Sequence, residues 1–164
     1  MSNVSDAKTD PLAQIWDKLD SVHAVMLGSP DHSQHMQPMS PQTAREEKAI
    51  WFYTNTGSDI AKASVNGGKV HMCLVGDDDY YACLDGDLQV VHSPEHIERF
   101  WSSIVEAWYP EGKSDPNITM LRMTPRTAEV WASTSSTIKF GWEIAKANWT
   151  GDEPDVGHKT NITF

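Results

Sequence analysis

Apolar positions along this chain follow two spacings, one of strands and one of helices. Trp51, Phe52, Tyr53 and Thr54 form an aromatic and β-branched block that predicts a buried strand. Asn55, Gly57, Ser58 and Asp59 follow as a polar turn opening a helix, which Ser58 or Asp59 can cap. Upstream, residues 1–9 are polar and predict a disordered tail. Asp10 and Pro11 then start a helix, with Leu12, Ile15, Trp16 and Leu19 on its buried face. Residues 23–27 read as a strand, 28–31 as a turn and 34–40 as a second strand. Pro38 puts that strand at an edge or bulge, because it cannot donate to a ladder.

The same logic continues downstream. Val70, Met72 and Leu74 alternate through a strand at residues 69–75, residues 77–79 form an acidic hairpin turn, and residues 80–91 form a long strand with a bulge or bend at Gly86. Ser93 and Pro94 cap a helix in which Ile97, Phe100, Trp101, Ile104, Val105 and Trp108 keep helical spacing. A loop with two prolines follows at residues 109–116. Two strands at 118–124 and 128–133 are joined by a turn at Pro125 and Arg126. Ile138, Trp142, Ala145 and Trp149 mark a last helix, and residues 161–164 a short terminal strand. Six or seven strands in hairpin order predict an antiparallel barrel, mainly β, with flanking helices. Residues 10–164 are expected to form a single domain.

Composition narrows the function. A formal charge of −10 argues against a nucleic-acid surface and against an anionic membrane. No apolar run approaches a membrane span, and no stretch has the order of a signal peptide, so a cytoplasmic location is expected. Seven Trp are many for this length and point to a core, an interface or a flat ligand site.

A strand ending in polar residues at a helix start favours an anion, since free N–H groups and the helix dipole converge there. Thr54, Asn55 and Ser58 are therefore candidates for ligand contact or for capping. Lys62, one helical turn on, reaches either a phosphate or solvent. Trp108 belongs either to the core or to a stacking site. His32 and His35, and His92 and His96, lack metal-ligand spacing, and the acidic turn lacks the pattern of a calcium loop, so no metal is expected. Cys73 and Cys83 form no CxxC pair, no G-x-S-x-G is present, and no catalytic residue is identified.

Several stretches together resemble the general stress protein branch of the pyridoxamine 5'-phosphate oxidase-related, FMN-binding split-barrel proteins. They are His35-Met36-Gln37-Pro38-Met39-Ser40, Trp51-Phe52-Tyr53-Thr54 with Ser58-Asp59, Tyr81-Ala82-Cys83-Leu84-Asp85-Gly86, the loop from Ala107 to Pro116, and Ala128-Glu129-Val130-Trp131. The resemblance implies a six-stranded Greek-key split barrel that forms a homodimer, with two flavin sites at the subunit interface, each built from both subunits. FMN, or FAD, would be the cofactor. Gln37, Pro38 and Met39 would lie along the isoalloxazine edge, and Thr54 and Asn55 beside the ring or ribityl chain. Ser58, Asp59 and Lys62 would face the phosphate, and Trp108 or Trp131 would come from the partner. Asp59 and Ile60 stand where the vitamin-forming oxidases carry basic residues, so their reaction is not transferred. The resemblance implies a flavin-dependent oxidoreductase of unspecified substrate; the alternative is a non-catalytic flavin-binding or stress-associated module.

Overall fold

The computed structural model describes residues 3–30, 35–77, 79–133, 137–151, 153–154 and 156–164. His32 and Asp78, and with them part of the expected turns at 28–31 and 77–79, lie outside these residues. The framework is one antiparallel sheet of eight strands: β1 (Val25–Gly28), β2 (Gln37–Met39), β3 (Gln42–Ala44), β4 (Ala49–Asn55), β5 (Gly68–Gly76), β6 (Tyr80–Val91), β7 (Ile118–Ser133) and β8 (Gly157–Thr163). Their order is β2-β1-β5-β6-β7-β4-β3, and β8 adds to β7. The two ends of this path are β2 and β3, which only Ser40 and Pro41 separate. Three peptide steps span at most about 11 Å, so the sheet must curl until its ends nearly meet. This is the antiparallel barrel with flanking helices that the pattern predicts and the split barrel that the resemblance implies; the described residues form eight strands.

The first correction is at the N-terminus. Residues expected to form a disordered tail form helix α1 (Asn3–Thr9), because Val4 and Ala7, three apart, are both buried. Helix α2 (Pro11–Ser21) follows, its cap made by the Asp10 carboxylate accepting from the Ala13 N–H at 2.9 Å. Ile15, Trp16 and Leu19 bury, while Leu12 stays exposed.

The second correction is β7, one strand of 16 residues rather than two joined by a turn. Asp85 pairs with Thr127 and Gly86 with Pro125, which leaves Arg126 as an extra residue without a partner on β6. The bulge absorbs the missing N–H of Pro125. It also shifts the phase of the strand. Leu121 and Met123 face the core before it, and Ala128, Val130 and Ala132 after it. Gly86 is required opposite, since a Cβ there would lie 2.5 Å from the Thr124 carbonyl oxygen.

The third correction splits the expected helix at 93–108 into α4 (Pro94–Phe100) and α5 (Ser103–Trp108). Trp101 turns extended, and Ser102 caps the second helix by accepting from the Val105 N–H at 3.3 Å. Helix α3 (Asp59–Ala63) follows β4, and α6 (Thr137–Thr150) precedes β8.

The barrel encloses the main core, with Phe52, Tyr80, Met72, Leu84 and Leu121 fully buried. A second apolar cluster lies on the outside of β4, where Trp51, Ile118 and Met120 meet Ile97, Phe100 and Trp101. Strand β4 is thus covered on both faces, which explains its unbroken run of apolar residues.

Candidate functional site

The bent segment that carries β2 and β3 divides its pairing between two neighbours. Gln42 pairs with Trp51, Thr43 with Ile50 and Ala44 with Ala49. Continued outward, this register would set Met39 opposite Thr54 and Pro38 opposite Asn55. Instead Met39 pairs with Val25 and Pro38 with Met26, on the far side of the barrel seam. Among the described residues, no strand covers the edge of β4 beyond Trp51 on the side away from β7. The chain forks here, and two prolines account for it. Neither Pro38 nor Pro41 can donate to β4. Pro41, three residues after Pro38, is the signal that the sequence reading did not use.

The mouth of the fork is a built turn. Thr54 is only 7% exposed, and its hydroxyl lies 2.8 Å from that of Ser58. The Ser58 oxygen accepts from the Ala61 N–H at 3.2 Å, so Ser58 is the cap and Asp59 heads α3 without capping it. The Asn55 side chain accepts from the Gly57 N–H at 2.9 Å, and its carbonyl accepts from the Ser58 N–H at 2.9 Å. Asp59 and Lys62 are both exposed on this short helix.

Gln37, Pro38 and Met39 thus lie on β2, paired with β1, while Thr54 and Asn55 end β4 and Ser58, Asp59 and Lys62 belong to the cap and body of α3. Trp108 and Trp131 lie elsewhere. Trp108 ends α5 and is 79% exposed, so it is not core. Its neighbour Tyr109 packs 6.2 Å from Tyr53, holding that end of α5 on the outer face of β4. The Tyr53 hydroxyl donates to the Ile97 carbonyl at 2.6 Å. Burial first, then Tyr109 and Glu98, push it up to about 12, so it stays protonated. Trp131 sits near the far end of β7 from Thr119, the partner of Thr54. It is half-exposed beside Tyr81, with Lys159 Nζ 5.5 Å from its ring.

Glu47, in the 3-10 turn Arg45–Glu47, closes the covered end of the outer face. It lies 3.0 Å from His96 Nε2 and 3.0 Å from Arg99 Nη1, and the Trp51 indole N–H donates to it at 3.3 Å. Burial works against the carboxylate, but the bonds and charges of His96, Trp51 and Arg99 outweigh it and hold Glu47 below the usual range. A depression of about 570 Å³ beside Gly67 and Arg122 contains none of the expected cofactor residues. Its charges are already engaged, Arg126 by Asp87 and Arg122 by the Thr124 hydroxyl. Among the described residues, no helix is long and apolar enough to cross a membrane.

With this geometry in place, the similarities to known proteins are informative. A protein described as general stress protein 26 from Jannaschia sp. CCS1 is 35% identical, with a TM-score of 0.80 over 94% of this chain and 99% of its own. The general stress FMN/FAD binding protein of Xanthomonas citri is 30% identical, with a TM-score of 0.69 over 75% of this chain and 89% of its own. A general stress family protein of Xanthomonas campestris pv. campestris is 29% identical, with a TM-score of 0.72 over 80% and 92% of the two chains. No curated protein matches the chain. Residues 10–155 match the pyridoxamine 5'-phosphate oxidase like family, and the chain belongs to that family.

Proposed function

We propose that this chain binds a flavin, FMN by preference with FAD as the larger variant, in the fork between β2 and β4. The observation that carries the proposal is the fork itself. Pro38 and Met39 pair with β1 while β4 runs on beyond its last pairing with β3, and Thr54 and Ser58 meet at the end of that stretch. A flat heteroaromatic ring with donors and acceptors on its rim fits between two strands that have stopped pairing. Gln37, Pro38 and Met39 hold one side of the ring, and Thr54 and Asn55 the other. Ser58 and Lys62 meet the phosphate at the start of α3. The similarity to the FMN/FAD binding protein of Xanthomonas citri supports this choice of ligand.

When bound, a flavin supplies hydride or electron transfer, and the protein binds, orients and shields it. We assign the chain accordingly as a flavin-dependent oxidoreductase. A second reading, a non-catalytic flavin carrier, draws on Asp59, whose exposed carboxylate heads the helix that the phosphate would approach. Anaerobic addition of reduced nicotinamide to the flavin-loaded protein separates the two. Bleaching of the flavin band at a rate well above that of free flavin supports the oxidoreductase. A stable yellow complex that does not bleach leaves the carrier.

The outer face supports a homodimer. Val75, Tyr81 and Trp131 lie in one row across β5, β6 and β7, and Met26 continues the patch beside Cys73. They are 64%, 45%, 40% and 39% exposed, respectively. A contiguous apolar face on a barrel fits a second copy of the chain, and Trp131 then becomes a residue that one subunit offers to its partner's flavin. A stable dimer of this kind buries about 2,000 Å² or more in total.

A further inference from the structure

Cys73 of β5 and Cys83 of β6 stand directly opposite each other in register, with their sulfurs 3.9 Å apart. Residues opposed in an antiparallel pair have Cα atoms about 4.5–5.5 Å apart, inside the window that a disulfide accepts. Side-chain rotation alone can therefore bring the sulfurs from 3.9 Å to the bonding distance of about 2.0 Å. Both thiols are half-buried. Around them on the same face are Met26 opposite Cys73, Glu129 opposite Cys83, and Asp85, which pairs with His71 at 2.8 Å. Among the described residues, no group of three or more His, Cys, Asp or Glu side chains is arranged to hold a metal. The chemistry open to this pair is that of two thiols with each other.

We propose that Cys73 and Cys83 form a two-electron redox site, a dithiol that a peroxide converts to an intrachain disulfide. Burial, and then Cys73 itself, push the Cys83 thiol up to about 11, which disfavours Cys83 as the first nucleophile. The Cys73 sulfur attacks one peroxide oxygen and the O–O bond breaks. The products are a Cys73 sulfenic acid and, after proton transfer, one water. The Cys83 sulfur then attacks the Cys73 sulfur. The S–O bond breaks, and the departing hydroxide takes the Cys83 proton as a second water. Two thiols are oxidised by two electrons, one peroxide is reduced, and an external thiol reverses the change by exchange. The bond ties β5 to β6 at the centre of the open outer face. The pair shares its face with Met26, Val75, Tyr81 and Trp131, so a second copy seated there slows the arrival of peroxide, while the bond itself forms within one chain.

The experiment uses the full chain, folded, with one equivalent of hydrogen peroxide, followed by alkylation, intact mass and peptide mapping. The expected result is loss of both alkylatable thiols, a mass lower by about 2 Da, and recovery of both with dithiothreitol. Cys73→Ser and Cys83→Ser should each lose the 2 Da change. Should either variant fold poorly, the wild type in urea serves instead, where the disulfide should form at least about tenfold more slowly because the register no longer aligns the sulfurs. Two thiols that stay alkylatable, oxygen adducts without a disulfide, bonds between chains, or equal rates folded and unfolded would each overturn the proposal.

Discussion

The barrel is incomplete in two places, and they are incomplete in different ways. At the fork, β4 runs past its last pairing with β3 at Gln42 and Trp51, and among the described residues no strand pairs with that edge beyond it. Around Tyr81 and Trp131 the strands are paired, but the outer face carries apolar side chains that stay exposed among the described residues. An open edge lacks hydrogen bonds, and a polar flat ligand satisfies it. An open face exposes apolar area, and only another apolar surface satisfies that. The other end of the outer face shows the solved case: around Trp51 the chain covers itself with α4, and His96 stacks 3.9 Å from the indole. On the reading proposed above, one sheet reserves one gap for a small molecule and one surface for a second copy of the chain.

The sharpest way to break this division is to charge the open face. Trp131→Asp should convert dimer to monomer, because a central aromatic anchor at an interface is worth about 2–4 kcal/mol. Light scattering at micromolar concentration reads the change. The fold should survive, since the side chain is half-exposed on one subunit. A dimer that persists removes the face from the interface.

Thr54→Val tests the open edge. It keeps the shape but removes the hydroxyl that meets Ser58 at 2.8 Å. The loss of this buried bond should cost about 1 kcal/mol, a fall in Tm of roughly 2–4 °C. FMN affinity should fall by about five- to tenfold, while the oligomeric state stays unchanged. A fall in both would mean that the two gaps are one site.

The covered end of the outer face gives a pH test. Glu47 is held below its ordinary carboxylate value of 4.5 in the folded chain. A depressed folded value contributes stability above the unfolded pKa and loses it as pH falls through the folded one. Wild type should therefore lose Tm below about pH 4.5, and Glu47→Gln should lose less over the same interval. Equal slopes in thermal melts from pH 5 to 3 would mean that the Glu47–His96 contact does not seal that end.

The smallest effect concerns Asp59. Asp59→Asn should tighten FMN binding by about two- to fivefold at low salt and by less at high salt, since an exposed carboxylate near a phosphate is repelled but screened. Unchanged affinity at low salt would place the carboxylate away from the phosphate.

Much of the frame is legible in sequence because local chemistry fixes it. The ends of β6, the bulge opposite Gly86 and the caps at Asp10, Ser58 and Ser93 all follow from residue type and spacing. What stays hidden depends on distant partners. Val4 and Ala7 offer too little apolar signal to announce α1 until strands β7 and β8 lie beneath them. Pro125 reads as a turn because the Gly86 that makes room for its bulge lies across the sheet, on β6. The stripe from Ile97 to Trp108 is continuous in spacing, and only the Ser102 cap interrupts it. The residues around Thr54 and Ser58 could be singled out from the strand-to-helix joint. That Pro38 and Met39 pair with β1 and leave the end of β4 is a matter of register, which residue type alone does not reveal.

The central claim is that the fork holds the flavin, and titration of FMN fluorescence tests it most directly. Cofactor-free wild type should quench the emission saturably, and Thr54→Val and Ser58→Ala should each weaken binding without unfolding the chain. Folded wild type that leaves FMN fluorescence unchanged, or cleft variants that bind as tightly as wild type, would contradict the account.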